Sequence, residues 1–380
     1  MTNIKDKIDA ALRTVSGPDG EGDIVSLGMV SDAFITEGEN GFKVMLSLTV
    51  PAERARELDG LRAAAQSAVE KVDEVTSAMI ALTAERKPGQ GGQSAPPQSQ
   101  PPAGAPPHPH AAPKEQPGIP GVKHIIAVAS GKGGVGKSTT SINLALGLQN
   151  QGLKVGILDA DIYGPSLPRL LGLNSKPEAD GRILKPMEQF GLKAMSIGFL
   201  VAEESPMIWR GPMVISALTQ LLREVAWEPL DVLVVDMPPG TGDAQLTMAQ
   251  QVPLSGAVIV STPQDLALID ARKGLNMFEK VSVPILGIVE NMSTFICPKC
   301  GERTDIFGHG GAQAEAKRLK VPFLGSVPLH LDIRINSDGG TPVVESDPDG
   351  PHAAVYNEIA VKVADALAAE KSDGPAIVFE

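Results

Sequence analysis

Residues 130–145 read SGKGGVGKSTTSINLA, a stretch with the residue types needed to grip a phosphate. Gly131, Gly136, Lys137 and Ser138 fit G-x-x-x-x-G-K-[ST], in which glycines let successive backbone N–H groups curl around phosphate oxygens. Lys137 then neutralises phosphate charge, and the Ser138 hydroxyl faces Mg²⁺. The candidate nucleotide site is therefore Gly131, Lys132, Gly133, Gly134, Val135, Gly136, Lys137, Ser138 and Thr139. Gly131, Gly133 and Gly136 also satisfy G-x-G-x-x-G, with Asp159 ending the next strand as a dinucleotide site requires. A dinucleotide loop has no use for a lysine and a hydroxyl after its last glycine, so the triphosphate reading is preferred. One lysine suffices for that task, and Lys132 is a second.

Three carboxylates and two thiols complete the set. LDVLVVDMPPGTGD is an apolar strand that stops at Asp236 and turns through Pro238, Pro239, Gly240 and Gly242. A carboxylate there is costly to bury unless an ion meets it, which makes Asp236 the candidate magnesium ligand with Ser138. In ILDADIYGPS, Asp159 and Asp161 share a side of the sheet edge if the strand persists, so one approaches the metal and the other the attacking water. Asp159 is assigned to Mg²⁺ and Asp161 to the water, the alternative for Asp161 being the start of a turn. Cys297 and Cys300 form CPKCG after the strand ILGIVEN. Clusters and structural zinc want four protein ligands, and the chain offers two thiolates. A twofold axis through that loop would bring two pairs together. Iron–sulfur cluster, zinc and free dithiol stay open on the residues alone, as does a Cys₂His site using His309.

The elements that must position these groups alternate. HIIAVAS, KVGILDA, LDVLVVDM, GAVIVST and ILGIVEN read as strands separated by helical stretches, which calls for a mostly parallel sheet with helices on both faces. The helix after the phosphate loop runs until Gly152 stops it. Residues 1–86 read as helix, strand, strand, helix, strand, a small α/β domain of their own. Residues 87–121 are built from Pro, Gly, Gln, Ser and Ala and read as a linker, with His108 and His110 as solvated spacers. The nucleotide-binding domain then occupies 122–369, and 370–380 is a tail.

The chain of 380 residues is 42% hydrophobic, enough for two cores. A net charge of -12 and 3% aromatic residues weigh against nucleic-acid binding, which needs clustered cations and stacking rings. The amino terminus is amphipathic and charged, and no apolar run of about 18 residues occurs, so the expectation is a cytoplasmic protein without a membrane partner.

The loop GKGGVGKS, with DADIYGPS, VVDMPPGTGD and CPKC in this order, resembles the Mrp/Nbp35 (ApbC-like) family of iron–sulfur carrier ATPases over about 121–369. Residues 1–86 resemble the DUF59 or MIP18-like domain, carried by Pro18, Asp19, DIVSLGMV and LTVP; VPAERA lacks the cysteine that many members have. The resemblance implies a P-loop NTPase fold of the SIMIBI, deviant Walker A type. It implies ATP and Mg²⁺ as cofactors, a homodimer in which Lys132 crosses to the partner's nucleotide, and an adenine contact at Asn291. From the residues alone Asn291 is an amide suited equally to base recognition or capping. It further implies a bridging [4Fe–4S] cluster on Cys297 and Cys300 of two subunits, passed to apo iron–sulfur proteins. WRGPMVISALTQLL is also family-like, with Trp209 structural or interfacial. The competing function is that of MinD or ParA, a positioning or partition ATPase; a dinucleotide oxidoreductase comes third.

Overall fold

The computed structural model describes residues 4–18, 22–30, 33–38, 41–51, 58–85, 118–201 and 211–370. Most of the expected linker lies outside them, as do Asp19, the segment after Pro51, His108, His110, Trp209 and the tail from 371. The chain divides into two compact units, one built from the described residues up to 85 with 211–216, the other from 118–201 and 217–370.

The first unit contains α1 (Ile4–Leu12), β1 (Phe34–Gly38), β2 (Gly41–Pro51), α2 (Asp59–Glu70) and β3 (Val75–Glu85). β1 pairs antiparallel and β3 parallel with β2. Alternate residues of β2, Val44, Leu46, Leu48 and Val50, share one face by the period of a strand and are buried with Ile8, Leu12 and Ile80. Gly41 opens β2 at φ 135, where a Cβ would run into the Glu74 carbonyl.

The second unit is doubly wound. Its elements are β4 (Val122–Ala129), α3 (Lys137–Asn150), β5 (Val155–Asp159), α4 (Leu167–Leu171), β6 (Ala179–Asp180), β7 (Ile183–Leu184), β8 (Met187–Gln189) and β9 (Leu192–Ser196). After α5 (Gly211–Arg223), of which 217–223 belong to this unit, come β10 (Leu230–Asp236), α6 (Asp243–Gln251), β11 (Gly256–Ser261), α7 (Asp265–Lys280) and β12 (Ile285–Ile296). β13 (Arg303–Thr304), α8 (Gly311–Leu319), β14 (Phe323–Leu329), α9 (Leu331–Asp338), α10 (Val343–Ser346) and α11 (Pro351–Glu370) finish it.

The main sheet runs β13-β12-β11-β4-β10-β5-β9-β8, with β14 also on β12. Its central strands pair in parallel, and β10 sits between β4 and β5. Parallel strands covered on both sides read as continuous apolar runs, and Ile125–Ala129, Val155–Asp159 and Val232–Asp236 are buried throughout. β14 falls outside the expected strands because FLGSVPL is short and interrupted by Gly325 and Pro328. β12 also differs from expectation. It passes Asn291, turns at Met292 with φ 56, and continues to Ile296, so the cysteines close a hairpin with β13 where a loop was expected.

Candidate functional site

The glycine loop leaves the carboxyl end of β4 and enters α3, the place where open α/β sheets hold ligands. Gly134 and Gly136 take φ 78 and 79, a left-handed backbone that side chains resist. At Gly131 a Cβ would overlap the backbone carbonyl of Asp270 on α7. Neither partner is a flexible side chain, so Gly131→Ala must shift the loop. It is expected to lower turnover about a hundredfold, the scale of an ~1 Å misplacement at a reacting centre, as steady-state phosphate release will measure.

Lys137 begins α3 and its ammonium lies 2.7 Å from Asp236 Oδ1, with the side chains only 7% and 2% exposed. It also donates to Ser138 Oγ at 3.3 Å. Ser141 Oγ donates to the same Asp236 oxygen at 2.6 Å and to the Lys137 carbonyl at 3.0 Å. Ser141 was not among the expected site residues. Its position one helical turn after Lys137 was the available signal, because residues four apart share a helix face.

Asp236 and Asp159 are register partners at the ends of β10 and β5. Asp159 is fully buried. Its Oδ1 accepts from Asp161 N–H at 3.1 Å, and its Oδ2 accepts from Ser166 N–H, Leu167 N–H and Ser196 Oγ at 3.0 to 3.1 Å. Those four bonds make Asp159 the organiser of the loop into α4. Burial, then the charge of Asp236, pushes its carboxyl up to about 7. Two carboxylates face one lysine here, a charge balance that a divalent cation suits. Asp161, half-buried, accepts from Gly164 N–H at 3.3 Å, and desolvation raises its pKa. It stands at the entrance to a turn while remaining within the field of Lys137.

After Asp236 the chain crosses back over the glycine loop: Gly240 N–H donates to the Ser130 carbonyl at 3.0 Å. Gln245 of α6 reaches back to the Pro238 carbonyl. Lys132 is half-buried, and among the described residues its ammonium has no side-chain partner. Asn291 reaches the phosphate loop. Its Nδ2 donates to the Val135 carbonyl at 2.8 Å and the residue is buried. That bond makes it a brace of the phosphate loop.

The cysteine turn is built by its backbone. Cys297 N–H donates to the Glu302 carbonyl and Gly301 N–H to the Cys297 carbonyl, at 2.9 and 2.8 Å, while Gly301 takes φ 72. The backbone N–H groups of Lys299 and Cys300, then the Cys300 thiol, lower the Cys297 pKa. Cys297 is half-buried and Cys300 exposed, so the pair faces outward. His309 lies against Arg303, its Nδ1 2.9 Å from the guanidinium, a poor setting for a Cys₂His site.

The family model described as NUBPL iron-transfer P-loop NTPase matches residues 121–364. The chain belongs to that family. Residues 5–80 match a second model, described as iron-sulfur cluster assembly protein. An iron–sulfur cluster carrier protein of Escherichia coli is 57% identical over 253 residues, 66% of this chain and 69% of that one. The mouse iron–sulfur cluster transfer protein NUBPL is 56% identical over 254 residues, 66% of this chain and 79% of that one. Among solved structures, an Archaeoglobus fulgidus nucleotide-binding protein in complex with ADP is 45% identical with a TM-score of 0.54, covering 60% of this chain and 90% of that one. The Pyrococcus furiosus cell division ATPase MinD, 22% identical with a TM-score of 0.50, covers 64% of this chain and 98% of its own. It shares the P-loop NTPase fold with the family, and the likeness extends no further. Among the described residues no helix is long and apolar enough to cross a membrane.

Proposed function

We propose that this chain is a cytoplasmic ATP-hydrolysing carrier that holds a [4Fe–4S] cluster between two identical subunits and passes it to apo-proteins. The observation that carries the reading is the course of β12. One continuous strand bears Asn291, bonded to the phosphate loop, and six residues later Cys297, at the head of the outward hairpin. A change at the nucleotide thus has a short covalent route to the thiolates.

The donor set fits a magnesium nucleotide: glycine N–H groups for the phosphates, and Ser138 with Asp236 for the ion, with the Asp159 carboxyl beside them, which a bound cation would favour in its ionised form. Bound Mg²⁺ would supply charge neutralisation at the transferring phosphoryl group. Lys137 neutralises phosphate from within the subunit, and Lys132 does so for the partner. Asp161 orients the attacking water, for which its raised pKa suits it to accept a hydrogen bond or a proton. Each hairpin offers two sulfurs to the cargo, and the twofold-related hairpin offers the other two. The N–H groups that stabilise the Cys297 thiolate favour the ligating form.

Anaerobic reconstitution tests the reading. The wild-type chain is expected to take up about four iron and four sulfide per dimer with the visible absorption of a cluster, and Cys297→Ser with Cys300→Ser to lose both. Stoichiometric cluster on the double variant would overturn the assignment.

A further inference from the structure

We propose that His330, Asp332 and His352 form a second metal site, for a divalent first-row transition ion, separate from the two thiols. His330 follows the last residue of β14 and caps α9, and His352 is the second residue of α11. The two rings lie with centroids 4.2 Å apart and planes tilted by 41°. One ligand atom from each of the three residues lies within 4.8 Å of the others, and among the described residues this is the cluster of such groups.

Bonds of about 2.0–2.2 Å to nitrogen and oxygen put two donors on one ion roughly 3 Å apart, so the cluster must contract by an ångström or two. The side chain able to do this is Asp332, 61% exposed, its Oδ2 already 3.5 Å from His330 Nδ1. His330, at 22% exposure, and His352 supply the fixed side. Nδ1 of His330 accepts from Asp332 N–H at 3.2 Å, a weak bond that coordination through that atom would replace. Helix amino termini disfavour a cation. Here α11 opens with Pro351, which has no N–H, and Asp347 adds a carboxylate beside Asp332 in the field of His352. Two imidazoles and a carboxylate select the Fe²⁺ to Zn²⁺ series over Mg²⁺ and Ca²⁺, which prefer all-oxygen sets.

The position gives the site a context. Leu329 pairs with Phe295, so His330 leaves β14 at the level where β12 runs through Ile296 to Cys297. The imidazoles and the thiols therefore share one end of the sheet. The site itself stands whether or not the thiols hold a cluster.

The test uses the full chain carrying Cys297→Ser and Cys300→Ser, stripped of metal and without nucleotide, in equilibrium dialysis against Co²⁺ and, anaerobically, Fe²⁺. About one ion per chain is expected, with the weak visible bands of nitrogen and oxygen ligation and no sulfur-to-cobalt charge transfer. Adding His330→Ala and His352→Ala should weaken binding about a hundredfold or more. Asp332→Ala, at an exposed position, should weaken it about tenfold and guards against a variant that fails to fold. No retained ion in the cysteine-free chain, or retention unchanged by the histidine and aspartate replacements, overturns the proposal.

Discussion

In Asp236→Asn, nucleotide hydrolysis is expected to fall by about two orders of magnitude or more, while affinity for ADP without Mg²⁺ is retained or rises. The two effects separate because Asp236 does two things. It is the carboxylate proposed for the ion, and it is the partner of Lys137 at 2.7 Å in a nearly dry setting. A phosphate arriving on the loop competes with that ion pair for the ammonium, and a neutral amide competes less. The asparagine keeps an acceptor for Ser141, so the helix start is preserved, whereas Asp236→Ala leaves a buried ammonium alone, a change that costs about 3–5 kcal/mol in comparable pairs. Steady-state hydrolysis and calorimetric titration with ADP, each with and without Mg²⁺, check the split. Equal losses in every measurement would reduce Asp236 to a structural partner of Lys137.

The same variant carries a pH signature. Folded Asp159 keeps its proton up to about pH 7, while the unfolded chain releases it near the ordinary aspartate value of 3.8. Between those values the native state binds more protons, so this group's contribution to stability falls as pH rises and levels off above about 7. Burial is the main cause and the charge of Asp236 the second. Removing that charge lowers the folded pKa, so Asp236→Asn should gain stability relative to wild type as pH climbs through this window. Thermal melts of both proteins across the range provide the comparison.

Much of this site was legible because its chemistry is local in sequence. The glycine loop, Lys137 and Ser138 occupy consecutive positions, and the apolar runs ending at Asp159 and Asp236 announce buried parallel strands whose tips converge. The order of elements in the amino-terminal unit was legible for the same reason, since strand and helix periods differ there within a few residues. What escaped depends on partners distant along the chain. Asn291 bonds Val135 across 156 residues, and nothing in its own neighbourhood announces that bond. Asp159 collects four hydrogen bonds, one from Ser196 on β9, which make it the organiser of a loop as well. The extension of β12 past Asn291 was hidden by a residue in left-handed backbone, Met292, whose side chain gives no hint of it.

Lys132→Ala is expected to lower hydrolysis by about three orders of magnitude and leave nucleotide affinity nearly intact, the pattern of a cation that acts on a neighbour's transferring phosphoryl group. Lys137 differs in kind: its ammonium is buried against Asp236, and Lys137→Ala should abolish nucleotide affinity itself. Lys132, one loop position after Gly131, is half-buried with no side-chain partner among the described residues, so its charge is available to a second subunit. Mixing the two inactive variants distinguishes action across a dimer from action within a subunit. In a mixed dimer the Lys132→Ala subunit keeps an intact phosphate site and receives Lys132 from its partner, which makes one site of the two complete. Random pairing makes half of the dimers mixed, so the equimolar mixture should recover up to about a quarter of wild-type turnover if the lysine works in trans. A lysine that acts on its own nucleotide leaves the mixture as inactive as either variant, and that result would remove the shared-site dimer from the mechanism.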